Sequence, residues 1–162
     1  MYNLLKKIYS KPRLYGYMSL LSHAAVIVTA LSFIPLLWGA FLICWVSCVK
    51  VIIITASPLL LVTVLRAYVN APRPYDLYDF YEHKPRGGTG HSFPSRHAYS
   101  VFAIASVSMF IYPVMGAILL ALGIIICVTR VLLGIHFIRD VAAGAVTGAV
   151  CGVLGVLILS PF

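Results

Sequence analysis

Charged residues are scarce in this 162-residue chain, at 10% of the sequence, and only four of them are acidic. Soluble domains carry about 25% charged residues. The hydrophobic share is 62% and the mean hydropathy is +1.01, and no water-soluble fold of this length can bury that much apolar surface. The composition therefore excludes a soluble domain and indicates a multi-pass protein of the cell membrane.

The sequence also lacks the patterns of several functional classes. It has no carboxylate cluster for magnesium or calcium, so we expect no metal or other cofactor. No nucleic-acid motif accompanies the net charge of +8, so we expect membrane lipids and an anionic substrate as partners, and no nucleic acid. The four cysteines lie in apolar runs and are interpreted as packing residues: Cys44, Cys48, Cys127 and Cys151.

The N-terminal segment, residues 1–16, is basic and tyrosine-rich and has no long apolar core, so we expect no cleavable signal peptide. It is either an amphipathic segment lying at the membrane interface or a solvated positive flank of the first span. We interpret residues 1–162 as a single integral membrane domain.

Long apolar runs predict an all-α, polytopic transmembrane bundle of about five spans, since each span needs roughly 20 residues. The first apolar stretch, from about Tyr17 to Leu65, has room for two spans. Pro35, Trp38 and Gly39 predict the turn between them. Lys50 falls inside the second span, which leaves a sixth span possible.

A polar segment, residues 66–95, is interpreted as an extramembrane loop, because its prolines and charges suit neither lipid nor a continuous helix. Three further spans follow, at about 95–112, 114–133 and 139–159. The last one carries glycines at positions 144, 148 and 152. Small residues at this spacing let helices approach closely, and we favour packing inside the bundle over dimerisation.

The polar residues that border the spans share one side of the predicted membrane, because the ends of successive spans alternate sides. They are Arg66, Arg73, Ser95, Arg96, His97, Arg130, His136 and Asp140. The opposite side has almost no charge. The sequence therefore predicts a functional site at one membrane face.

The residue types in this cluster suit phosphate chemistry. A charge inside a span costs roughly 2.5–3.5 kcal/mol, so Arg130 and Asp140 are expected to pair or to function. Asp140 would fix the tautomer of His136 and favour its charged form. Arginine presents a planar fork that matches phosphate oxygens. The helix start at Pro94-Ser95 would add free amides that bind anions, with His97 beside them.

Three short motifs in this cluster resemble the signature of the type 2 phosphatidic acid phosphatase family. That signature is Lys, six residues, Arg-Pro; then Pro-Ser-Gly-His; then Ser-Arg, five residues, His, three residues, Asp. The chain has Arg66, six residues and Arg73-Pro74; then Pro94-Ser95-Arg96-His97; then Thr129-Arg130, five residues, His136, three residues and Asp140. Order and internal spacing match throughout.

The resemblance implies a metal-independent phosphatase of lipid phosphates or diphosphates. It implies that His136 is the nucleophile that forms a phosphohistidine, that Asp140 orients it, and that His97 is the general acid. It also implies a group of phosphate-binding residues, namely Arg66, Arg73, Arg130 and Ser95. Arg96 stands where the family has glycine, and we expect it either to turn outward or to bind a second phosphate or a lipid headgroup.

Candidate substrates are phosphatidic acid, phosphatidylglycerophosphate and a polyprenyl diphosphate. Two alternatives stay open: a lipid phosphotransferase, and a non-catalytic protein that binds or transports phospholipid. The basic residues that flank the first span, Lys6, Lys7, Lys11 and Arg13, favour a cytoplasmic site, whereas the resemblance favours the outer face. The sequence indicates no oligomeric state.

Overall fold

The computed structural model describes residues 1–80 and 88–159; the predicted loop residues Glu82 and His83 lie outside these ranges. The described part is helical and contains no strand, which confirms the all-α prediction. The helices are α1 (Tyr2–Tyr9), α2 (Pro12–Ile43), α3 (Trp45–Val69), α4 (Pro74–Leu77), α5 (Arg96–Ile111), α6 (Pro113–Leu132) and α7 (Ile138–Leu159).

Four helices, α2, α3, α6 and α7, are long and apolar enough to cross a membrane. The fifth long helix, α5, has 16 residues and packs against all four of the others. Its small and β-branched side chains, among them Val101, Ala103 and Val107, are fully buried. The prediction of about five spans agrees with this arrangement, in which α5 forms the centre of the bundle.

The turn predicted at Pro35, Trp38 and Gly39 is wrong. Helix α2 continues through Pro35 to Ile43, and the chain turns at Cys44, which has an extended backbone. Prolines are tolerated in membrane helices where neighbouring helices hold the segment. Here Leu36 is fully buried in the core, and a Cβ at Gly39 would overlap the ring of Tyr112.

Helix α3 also departs from the predicted boundaries. It includes the first four residues of the predicted loop, 66–69, and ends at Val69, and its capping residue Asn70 has a left-handed φ of 42°. Arg66 therefore lies in the last turn of a helix and not in a loop. Lys50 lies near the other end of α3, so the described ranges contain no sixth span.

Glycines on one face of α7 bring this helix against α5. A Cβ at Gly144 would overlap the carbonyl oxygen of Ser95, and one at Gly148 would overlap that of Tyr99. The prediction of packing inside the bundle is therefore confirmed. The close approach places the start of α5 beside the start of α7, where Ser95 N donates a 2.9 Å hydrogen bond to the carbonyl oxygen of Asp140.

Candidate active site

The loop between α6 and α7 fixes the position of His136. The amides of Ile135 and His136 both donate to the carbonyl oxygen of Arg130, at 3.0 and 3.3 Å, and Gly134 supplies the positive φ that the turn needs. His136 is only 2% exposed. Backbone hydrogen bonds therefore tie the histidine directly to Arg130, in the last turn of α6.

Two buried polar side chains lie beside one nitrogen of this histidine. His136 Nδ1 lies 3.8 Å from Asp140 Oδ2 and 3.3 Å from Ser92 Oγ. The Ser92 hydroxyl donates to the same carboxylate oxygen at 2.5 Å, and the amide of Phe137 donates to it at 2.9 Å. Because Nδ1 faces the carboxylate and the hydroxyl, Nε2 on the other side of the ring is left for chemistry.

Burial lowers the pKa of His136 below its ordinary value near 6.5, and the charges of Arg66 and Arg73 act in the same direction. Asp140 raises this pKa but does not outweigh burial. The carboxylate was expected to favour a charged imidazole. It acts in that direction, but the effect of burial on the pKa is stronger. At neutral pH the ring is uncharged, which is the form a nucleophile needs.

Ser92 was not identified from the sequence. It is fully buried, and its amide donates to the carbonyl oxygen of Ala71 at 2.8 Å. It lies outside all three motifs, and its partner Asp140 is 48 residues away. The adjacent Pro94 was a local signal, because proline favours a bend, and the structure has a bend at Phe93 and Pro94.

Two of the predicted phosphate-binding arginines are anchored by backbone carbonyls. Arg66 donates from a terminal nitrogen to the carbonyl oxygen of Pro94 at 3.1 Å, and Arg73 donates from Nε to that of Gly90 at 2.8 Å. Asp76 accepts from the amides of Arg73 and Gly90 and fixes the loop around them. Both arginine residues are less than a tenth exposed, and each guanidinium group keeps further N–H groups for a ligand.

Arg130 completes the basic side of the site. Its side chain is buried, and among the residues described its Nε has no hydrogen-bond partner. The charge of Arg73 acts on both Arg130 and Arg66, and that of Arg96 acts on Arg66. Like charges held this close repel one another, so a bound anion stabilises the arrangement.

Ser95 and His97 lie at the start of α5. The Ser95 hydroxyl accepts a hydrogen bond from the Ala98 amide at 3.4 Å as the helix cap, and the Ser95 amide donates to the backbone carbonyl oxygen of Asp140. Ser95 can therefore offer a ligand only its hydroxyl hydrogen, while the amides of Arg96 and His97 have no acceptor within the helix. The charges of Arg130 and His136 act on His97, which places its imidazole within the same cluster.

An apolar cavity of about 410 Å³ extends from His97 into the bundle. It lies between α2, α3, α5 and α6, and its walls include Val26, Phe33, Ile52 and Ile126. The polar cluster and an apolar cavity therefore meet at one histidine. This arrangement can hold a molecule with a phosphate at one end and a hydrocarbon chain at the other.

Comparison with known proteins places this arrangement in a family. The model of the PAP2 superfamily matches residues 47–161, so the chain belongs to that superfamily. It is therefore a PAP2-type protein, and its helices make it an integral membrane protein. A comparison with curated protein sequences found no match.

Two crystal structures share the fold. LpxE of Aquifex aeolicus superposes with a TM-score of 0.70 at 25% identity, over 96% of this chain and 93% of that one. The first transmembrane PAP2-type phosphatidylglycerolphosphate phosphatase of Bacillus subtilis superposes with a TM-score of 0.69 at 21% identity, over 93% of this chain and 78% of that one.

Proposed function

We propose that the protein hydrolyses lipid phosphates or diphosphates without a metal, through a phosphohistidine on His136. The observation that carries this proposal is the buried contact of His136 Nδ1 with Asp140 and Ser92, which leaves Nε2 for attack beside His97 and the arginines. Phosphatidic acid, phosphatidylglycerophosphate and polyprenyl diphosphates are the candidate substrates.

The proposed reaction has two steps. Nε2 of His136 attacks phosphorus, the bond from phosphorus to the leaving oxygen breaks, and protonated His97 gives its proton to that oxygen. Water then attacks the phosphorus of the phosphohistidine, the P–N bond breaks, and His97 takes the proton of the water. Inorganic phosphate leaves, and both histidines return to their starting states.

The arginines would stabilise the charge that develops on the transferring group. Arg66, Arg73 and Arg130 reach the cluster from three different segments, so their N–H groups can meet different phosphoryl oxygens. Preorganised donors of this kind usually make the largest contribution to phosphoryl transfer. Ser95 and the free amides at the start of α5 would add neutral donors.

A lipid substrate is supported by the apolar cavity that adjoins His97. A soluble phosphate ester would leave this cavity unused, whereas a lipid could extend its chain into it. The PAP2-type relative from Bacillus subtilis is named as a phosphatase of phosphatidylglycerolphosphate, which supports the same substrate class.

The test is phosphate release by the purified chain in detergent, with EDTA present. Wild-type protein is expected to release phosphate from at least one lipid phosphate, and vanadate is expected to inhibit it. His136→Gln should lose at least a thousandfold in kcat, because no nucleophile remains. Full turnover by this variant would exclude the phosphohistidine route.

The same assay separates the alternatives. A phosphotransferase would pass the phosphoryl group to an added alcohol in preference to water, so a phosphorylated alcohol would replace free phosphate as the product. A protein that only binds or transports phospholipid would retain lipid phosphate without turnover. Either result would replace hydrolysis as the proposed activity.

A further inference from the structure

We propose that Arg96 forms a second anionic subsite that selects substrates whose leaving group carries its own phosphate. The inference rests on the proposed function and specifies its substrate class. Such a leaving group arises from a lipid diphosphate, which releases a lipid monophosphate, or from phosphatidylglycerophosphate, which releases a phosphodiester.

The position of Arg96 is the first observation. It is the first residue of α5, its side chain is exposed, and it lines a cavity of about 240 Å³ between α3 and α5. The other walls of this small cavity are Leu59, Thr63, His97 and Ser100. Arg96 therefore shares a cavity with the histidine that is proposed to protonate the leaving group.

The second observation is that this small cavity adjoins the apolar one. Leu59, His97 and Ser100 line both cavities. A lipid whose chain occupies the apolar cavity and whose phosphate reaches His136 must pass His97 where the cavities meet. The leaving group thus lies beside Arg96 where it adjoins the scissile bond.

The third observation is the difference between Arg96 and the buried arginines. Arg66 and Arg73 are anchored by backbone carbonyls, whereas within 1–80 and 88–159 no ion pair involves Arg96. Its charge still acts on His97 and on Arg66. Arg96 is therefore a cation on the leaving-group side, whereas glycine at this position would provide neither a charge nor a side-chain hydrogen-bond donor.

The chemistry of the leaving group decides which lipid gains from this cation. When a diphosphate bond breaks, the bridging oxygen leaves on a lipid monophosphate whose charge increases as the bond lengthens. The guanidinium group of Arg96 can donate two parallel hydrogen bonds to this phosphate. This bidentate contact binds the phosphate before the bond breaks and stabilises its added charge as the bond breaks. Diacylglycerol, the leaving group of phosphatidic acid, carries no charge and gains nothing.

The experiment compares matched substrates on the full-length chain in detergent. The substrates are a prenyl diphosphate, the prenyl monophosphate of equal chain length, phosphatidylglycerophosphate and phosphatidic acid. For Arg96→Gln, the ratio of kcat/KM for diphosphate over monophosphate is expected to fall at least tenfold. Arg96→Lys should recover part of that ratio, and Arg13→Gln, which removes an exposed charge at the start of α2, should not change it.

The outcomes separate the inference from the proposed function. If Arg96→Gln leaves unchanged both the ratio for diphosphate over monophosphate and the ratio for phosphatidylglycerophosphate over phosphatidic acid, with hydrolysis intact, the inference is overturned and the phosphatase proposal still stands. No phosphate release from any lipid by the wild type overturns both. A loss confined to phosphatidylglycerophosphate supports the subsite and identifies the phosphodiester as its ligand, and a loss confined to the diphosphate identifies the second phosphate.

A folding defect would affect all substrates alike, so the ratio is read only on protein that elutes as the wild type does in size exclusion. If Arg96→Gln does not fold, Arg96→Lys is decisive. Lysine keeps the charge but cannot form the bidentate contact, so a ratio equal to that of the wild type would overturn the proposed bidentate recognition.

Discussion

The Ser92 hydroxyl donates a 2.5 Å hydrogen bond to Asp140 Oδ2 and lies 3.3 Å from His136 Nδ1. The serine thus contacts both the carboxylate and the ring that the carboxylate orients. It belongs to the segment before α5, whereas Asp140 lies at the start of α7 and His136 lies in the loop just before that helix. We infer that Ser92 is a positioning residue, since it acts on the proposed nucleophile and not on the substrate.

Ser92→Ala is expected to lower kcat while changing KM little. A hydrogen bond to a charged group contributes about 1.5–3 kcal/mol, so a loss of roughly ten- to a hundredfold is expected. Ser92→Thr keeps the hydroxyl and should recover part of the rate. A merely structural role would instead lower the amount of folded protein, so an unchanged kcat in folded Ser92→Ala would exclude the positioning role.

The pH dependence follows from the lowered pKa of His136. The neutral ring is the nucleophile, and protonation removes it. Because the pKa in the folded protein lies below the ordinary value near 6.5, activity should persist as the pH falls through 6.5 and decline only at lower pH. The measurement is kcat/KM against pH, with the acidic limb assigned to the free enzyme. An acidic limb above 6.5 would contradict this prediction.

The side of the membrane that bears the site can be tested through the loop before α5. Basic residues flank the start of α2, and the end of α3 lies on the same side because the two helices are antiparallel neighbours. Positive flanks favour the cytoplasm, so Thr89→Cys, at an exposed position, should resist an impermeant thiol reagent in intact cells and react after permeabilisation. The wild-type chain is the control for its own cysteines, and labelling of intact cells would place the site outside.

The motifs predicted the residues of the cluster because each fixed spacing constrains a local geometry. His136 and Asp140 share one such spacing, and the structure places them 3.8 Å apart. The turn at Cys44 could not be predicted, because the packing of Leu36 and Gly39 keeps α2 helical through Pro35. Ser92 could not be predicted either, since only the long-range contact of α5 with α7 brings it to Asp140. The local motifs thus predicted the residues of the site, whereas tertiary packing determined the turn at Cys44 and the position of Ser92.

That long-range contact depends on the glycine face of α7, which gives a prediction on stability. A Cβ at Gly148 would overlap the carbonyl oxygen of Tyr99 and would also press on the backbone of Ala103. Backbone cannot rotate away as a side chain can, so Gly148→Ala should separate α7 from α5. Overpacking of this kind costs about 1–3 kcal/mol.

Gly16→Ala is the matched control, since Gly16 also lies in a helix but a Cβ there meets nothing within 4 Å. The measurement is thermal unfolding in detergent together with phosphate release. Gly148→Ala should lower Tm and also reduce turnover, because the contact between α5 and α7 holds the Ser95 amide against the carbonyl oxygen of Asp140 and the start of α5 beside His136. Gly16→Ala should leave both unchanged or raise Tm slightly, since alanine favours a helix over glycine by about 1 kcal/mol. Equal behaviour of the two variants would mean that the close approach of α5 and α7 does not hold the site together.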